Sequence, residues 1–452
     1  MENNWGMSEV TDQLRPDPSS ISFPALDAAA QAYVQEQLVR YWQADENRMA
    51  RVSDFGERLR GARADSDVLF LAVHGENFPT VEYLVHGLRA RGIKTYGVYW
   101  FSELTGKEPF DVCMSCGGSL GALVEVLLRI PKLKIYLQAH AKRSWLSQLV
   151  RALRPDVKIY HEIYDWMDAF VAREHEQAFI DENVFSRVEI DLMRACETWV
   201  RTRSNGFVYK DGGAPMAELL AKSTAPSVQV MPCPPKSYQR APRTPAAGPL
   251  KLVHAGQLRS AGSSRAFTDL YAIPLYEELM RQDCEVTVYP SAVANMQVFE
   301  QFFGDYFRLG QREHAFRFAQ HLPLKSLIEA LNGQQHYGML LYHFDEDLIV
   351  GKRHLRGALA SKLFMYWAAG LPVLVSEELA YMASLVADTG AGVVVTRNEL
   401  GTLAQRLASL DYAELQRRVV LAQQRFHIER FIPRLVELLE TETAASPAAA
   451  CA

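Results

Sequence analysis

The chain has 452 residues, 48% of them hydrophobic and 22% charged, with a formal net charge of −5. That length holds about two domains with full cores, and the acidic balance argues against a duplex-binding protein, which shows a dominant basic face. No apolar run reaches the roughly 18 residues of a membrane-spanning helix. The opening "MENNWGMSEVTDQLRPDPSS" lacks the basic start and apolar core of a secretory leader. Six scattered cysteines make no disulfide framework. The expectation is a reducing compartment, the cytoplasm.

In chain order, residues 26–60 read as helix, with Ala, Leu, Val and Tyr recurring three and four apart among charges. A different rhythm starts at "DVLFLAVHG" (67–75), a buried-type strand ending in glycine. The helix "TVEYLVHGLRARG" (80–92) and the strand "IKTYGVYW" follow. "DVCMSCGG" and "LGALVEVLLRI" repeat strand, glycine and helix, and "LKIYLQAH", "VKIYHEIYD" and "TWVRTRS" read as further strands. Six prolines in "MPCPPKSYQRAPRTPAAGPL" (231–250) stop any helix or central strand, so this stretch reads as a linker. Beyond it the alternation restarts with "LKLVHAG" and runs to "AGVVVT", and residues 399–441 are helical by pattern. Strands alternating with helices imply parallel βαβ units. The predicted fold is therefore α/β, two doubly wound Rossmann-like domains. Expected boundaries are a helical extension over 1–60, a first domain over 61–235 and a linker over 236–249. A second domain follows over 250–410, then helices and a tail over 411–452.

"KLVHAGQLRSAGSS", "HLPLKSLIEALN", "YGMLLYHFDED" and "ALASKLFMYWAAGLPVLVSEELAYMASLVADTGAGVVV" together resemble the donor-binding half of GT-B glycosyltransferases. The likeness is to the large, mostly retaining group that uses nucleotide-diphosphate sugars. It is specific in the second half and generic in the first, and covers about residues 67–440. The resemblance implies two domains facing across a cleft, with the terminal helices crossing back to the first. The second would bind a nucleotide-diphosphate sugar and the first a glycan, lipid-linked or other hydroxyl acceptor. No tightly bound cofactor, metal or nucleic acid is implied. Peripheral membrane contact and self-association stay open.

In that family the start of the "KlfEYlAaG" helix points at the donor diphosphate, which places Ser361 and Lys362 beside the phosphates. Helix N-termini carry partial positive charge and free N–H groups. The upstream "GKRHLRG" adds Lys352, Arg353 and Arg356, read as a loop. Gly256 permits close backbone approach. Arg259 and Arg265 follow where the family commonly has a basic residue, and Arg259 is preferred because a guanidinium grips two oxygens at once. The sequence departs from the family at Met365, where a Glu normally holds the donor. Glu377, with Glu378 beside it, is the expected compensation.

On the acceptor side, "YHEIYDWMDAF" supplies His161, Glu162 and Asp165 as candidates to bind the acceptor or take its hydroxyl proton. A polar strand end with Asp165 or Asp168 capping a helix is the alternative. His74, Gly75, Glu76 and Asn77 occupy the first strand–helix turn. A single glycine there is no dinucleotide fingerprint. Cys113 and Cys116 form one Cys-x-x-Cys without further metal ligands and read as structural thiols. The acidic "YHFDED" (342–347) reads as a solvated loop. A nucleotide-sugar epimerase and a non-catalytic partner subunit are the rival readings, the second because of Met365.

Overall fold

The structure is a computed structural model and describes residues 16–63, 66–72, 79–106, 108–262, 264–293, 295–342 and 344–441. Thirteen strands among these residues form two sheets, and every pairing is parallel. The first holds β1 (Val68–Ala72), β2 (Thr95–Tyr99), β3 (Val112–Ser115), β4 (Lys134–Gln138), β5 (Ile159–Ile163), β6 (Gly206–Tyr209) and β7 (Ser227–Gln229), in the order β3-β2-β1-β4-β5-β6-β7. The second holds β8 (Leu250–Gly256), β9 (Cys284–Pro290), β10 (Phe316–Phe318), β11 (Tyr337–Leu340), β12 (Val373–Ser376) and β13 (Gly392–Val395), ordered β10-β9-β8-β11-β12-β13. Both are doubly wound, with the order reversing between β1 and β4 and between β8 and β11. Ligands of such sheets sit beyond the strands' carboxyl ends at that reversal. The two Rossmann-like domains face each other across a cleft, as the alternation predicted.

Parallel sheets bury both faces, and strand alternation divides the core accordingly. In β1, Leu69 and Leu71 join one cluster and Val68, Phe70 and Ala72 the other. The N-terminal segment covers the first of these faces with Ala30, Val34, Leu38, Val52 and Phe55. It is two helices, Ala28–Tyr41 and Glu46–Arg58, where the sequence pattern suggested one over 26–60. The break follows from capping: Asp27 accepts from Ala30 N–H and Asp45 from Arg48 N–H, each starting its own helix.

Two further expectations are corrected. "TWVRTRS" is no strand but the end of the helix Arg187–Arg203, which starts in a capping box between Ser186 and Glu189. Its buried Ile190, Met193, Cys196, Glu197 and Val200 recur three and four apart, and that period outweighs the local β-branched composition. "GKRHLRG" is a short helix, Lys352–Gly357, rather than a loop.

The proline-rich segment is held in place. Met231, Cys233 and their neighbours are buried, Arg240 N–H donates to Ala368 C=O at 2.8 Å, and Gln423 bonds the carbonyls of Arg240 and Trp367 at 2.8 and 2.7 Å. The helix Ile432–Glu440 returns to the first sheet. There Ile432, Leu435, Leu438 and Leu439 pack into its core, and Tyr160 Oη donates to Leu439 C=O at 2.9 Å.

Candidate functional site at the cleft

On the second-domain side, β8 ends at Gly256, which has φ +112°, and a Cβ there would stand 2.9 Å from Lys362 Cε. Only glycine fits that approach. Lys362 starts the helix Ser361–Ala368 and reaches back beneath this turn. Its Nζ donates to Tyr342 Oη at 2.6 Å and lies 3.4 Å from Nε2 of the buried His254. Burial pushes the ammonium down to about 8, against the opposing pull of Asp269. Among the described residues, no carboxylate lies within ion-pairing distance of its Nζ. The helix has Ala360 at its N-cap, so no side-chain oxygen satisfies the first N–H groups. Ser361 is the first residue of that turn.

Arg259 is the second cation. Its guanidinium lies between two rings, 4.5 Å from the Phe267 centroid and 3.7 Å from that of Phe302. Its Nε has no hydrogen-bond partner among the described residues, and burial lowers it to about 10, opposed by Asp269. Asp269 itself is raised to about 7 by burial, although Lys362 and Arg259 both favour its charged form.

The other predicted cations are engaged elsewhere. Arg265 Nε pairs with Glu182 of the first domain at 2.6 Å. Arg353 bonds Pro215 C=O at 2.7 Å and Glu218 at 3.0 Å, both on the first domain. Lys352 is exposed on the short helix. Arg265 and Arg353 tie the two domains together, which spacing cannot show because the partners lie 83 and about 140 positions away. Glu377 is exposed just beyond β12. Glu378 is partly buried, which raises it above the usual carboxylate range. Met365 is 4% exposed and packs in the second-domain core, so nothing at that position reaches the cleft.

On the first-domain side, the expectation for His161 and Glu162 needs correction. β5 continues to Ile163, so both lie within the sheet, 3% and 6% exposed, rather than at its mouth. Burial drives His161 down to about 4, and its Nδ1 has no hydrogen-bond partner among the described residues. It lines a cavity of about 20 Å³, room for one water, with His140 and Glu197. Glu162 accepts from Tyr136 Oη at 3.0 Å, Gln138 Nε2 at 3.2 Å and Thr80 Oγ1 at 3.4 Å, and burial raises it.

Asp165 does lie past the strand end. Burial works to raise it, but Lys210 at 3.6 Å and His354 at 3.9 Å outweigh that, and its carboxyl titrates low. Neither Asp165 nor Asp168 caps a helix; the turn Met167–Phe170 has Trp166 at its N-cap. His74, Gly75, Glu76 and Asn77 lie outside the described residues, as does His343. Among the described residues, no group of three His, Cys, Asp or Glu could hold a metal, and no helix is long and apolar enough to cross a membrane. Cys116 is buried and pushed up to about 12, whereas Cys113 is partly exposed.

Sequence reasoning passed over His254, Tyr342 and Asp269 around Lys362, and Lys210 and Asp211 after β6. His254 carried a signal: it is a polar residue inside the buried run "KLVHAG".

The fold is that of the GT-B class. Residues 291–437 match the family model for the C-terminal domain of glucosyltransferase 3-like proteins. No curated protein sequence matches the chain. Among solved structures, Anabaena HepE in complex with UDP and glucose superposes with a TM-score of 0.54 at 12% identity, over 83% of this chain and 99% of that one. A Thermobaculum terrenum O-GlcNAc transferase mutant scores 0.46 at 12% identity, over 92% and 78%. Arabidopsis thaliana UGT89C1 with UDP-L-rhamnose scores 0.45 at 12%, over 83% and 100%.

Proposed function

We propose that the protein is a glycosyltransferase that moves a sugar from a nucleotide-diphosphate donor to a hydroxyl acceptor on a glycan or lipid-linked substrate. One observation carries this reading. Lys362 stands at the reversal point of the second sheet and Arg259 on the loop after β8, and among the described residues neither has a carboxylate within ion-pairing distance. A desolvated cation without a counter-ion is costly, and the cost is recovered when a pyrophosphate arrives between them. Gly256 leaves room for it, and the uncapped N–H groups at Ser361 add donors.

As the bond from the sugar carbon to the diphosphate oxygen breaks, negative charge grows on that oxygen. Fixed cations and amide dipoles stabilise this charge more than the ground state, which is where rate acceleration comes from. Concentrating the charged groups on the leaving-group side suits a retaining outcome. The domain match over residues 291–437 and the UDP and glucose bound in the HepE structure support a nucleotide-sugar donor, with UDP the first to try.

The test is a thermal-shift screen with UDP, GDP, ADP and TDP, followed by a nucleotide-sugar assay for release of free diphosphate. No stabilisation by any of the four nucleotides overturns the proposal. A second reading, a non-catalytic partner subunit, rests on Met365 facing the core. It predicts nucleotide binding without transfer or hydrolysis.

A further inference from the structure

The surroundings of Lys362 allow a more specific statement, which rests on the reading above. His254 closes β8 from inside, with its ring edge toward Tyr276 and Tyr342 at 6.2 and 6.0 Å. Burial holds it neutral, far below its usual range, with the nearby Lys362 charge acting the same way. Its Nε2 faces Lys362 Nζ at 3.4 Å, and an ammonium can only donate. A neutral imidazole that donates from one nitrogen has a lone pair on the other. The tautomer that fits this contact carries its lone pair on Nε2 and its proton on Nδ1.

Tyr342 lies two residues past β11. Its backbone N–H donates to Ser376 Oγ and its carbonyl accepts from the same hydroxyl, each at 3.0 Å, so the residue is anchored to β12. Burial raises the phenol, which stays neutral at physiological pH. Its oxygen accepts from Lys362 at 2.6 Å. Both acceptors are therefore neutral and anchored through other contacts. An ammonium has three protons to donate.

We infer that His254 and Tyr342 are positioning residues that take two protons of Lys362 and turn the third toward the donor pyrophosphate. A lysine placed only for structure would be given a carboxylate, as Lys210 is by Asp211 and Asp165. Lys362 instead meets acceptors that orient it without cancelling its charge. The charged and titratable groups acting on it are Asp269 from the segment 265–270, His254 from β8 and Tyr342 after β11. Asp269 forms no ion pair with Nζ among the described residues, and burial raises its carboxyl to about 7.

The experiment measures UDP affinity by calorimetry from pH 6.5 to 10 for the full chain and for Tyr342→Phe, His254→Phe and Lys362→Met, with melting points alongside. Tyr342→Phe removes one oxygen and keeps the ring. It is expected to weaken UDP binding about tenfold. It should also move the pH at which affinity falls down by about one unit, because the ammonium loses an acceptor. His254→Phe should shift the same midpoint in the same direction. Lys362→Met should show no such midpoint, and adding Tyr342→Phe to it should change nothing more. If both ring variants keep the wild-type affinity and midpoint, the positioning role is wrong, while a large loss in Lys362→Met still upholds the donor site. If Lys362→Met binds UDP like the wild type, the donor-site reading itself fails. Should one ring variant not fold, the other decides.

Discussion

Lys210 and Lys362 both stand at the ligand-side end of a parallel sheet, and burial works against the charge of each. Lys210 follows β6 and has Asp211 at 2.9 Å and Asp165 at 3.6 Å, which outweigh burial and raise it above its usual range. Lys362 has a phenol and a neutral imidazole, and falls to about 8. The same contrast extends outward. In the first domain Arg187 and Arg194 both bond Glu176, whereas in the second Arg259 lies between two rings. Charges cancelled within the fold hold the molecule together; charges left open are kept for a ligand.

The largest expected effect comes from breaking the compensated side. Asp211 is fully buried, and its Oδ2 has no hydrogen-bond partner, so Lys210 carries most of its neutralisation. Lys210→Met should lower stability by roughly 3–5 kcal/mol in denaturant titration, the usual effect of stranding a buried charge. Asp211 Oδ1 also accepts from Leu359 N–H at 2.9 Å, two residues before Ser361. Lowered stability in this variant should therefore be accompanied by weaker nucleotide binding.

Next comes the open side. Lys362→Met should reduce UDP affinity by about 100-fold, the range of a lost charge-assisted bond, without lowering the melting point. The sign of its pH linkage follows from the depressed folded value. Between about 8 and the unfolded lysine value near ~10.4, the unfolded chain binds more protons, so stability rises with pH through that window. The rise should be absent in Lys362→Met. A smaller loss, about tenfold in affinity, is expected for Arg259→Lys, because a point charge cannot reproduce a stacked planar fork. Smallest is Glu182→Gln, which removes the partner of the exposed Arg265. It should leave the denaturation midpoint nearly unchanged, and a clear drop would mean that this link between the domains is stronger than its exposure implies.

Alternation of short apolar runs with amphipathic helices was enough to read the central strands of both sheets, because burial on two faces leaves a local record in each. The short β6, β7 and β10 escaped it, and "TWVRTRS" reads as a strand although it ends a helix. The approach of Gly256 to Lys362 was legible in part for a similar reason: a turn after a strand and the start of a helix are sequence neighbours of the elements that make them. That Arg353 and Arg265 are engaged across the domains was not legible, because charge alone does not name its partner. Arg353 faces Glu218 and Pro215, and Arg265 faces Glu182. His161 and Glu162 were misplaced by two residues of strand length, enough to move a side chain from the mouth of a sheet to its interior. His254 stood out locally as a polar residue in a buried run, but its tie to Tyr342 and Lys362 becomes visible only when β8 and β11 are paired.

The proline-rich passage and the return leg around Ile428 run side by side. Ile428 N–H donates to Pro234 C=O at 3.4 Å, and Lys236 N–H donates to the Glu429 carboxylate at 3.1 Å. The polypeptide therefore bridges the gap twice at nearly one place. A double tether of this kind resists twisting of one lobe over the other, so in any opening about its own line the Lys362 side of the cleft and the opposite wall would keep their register.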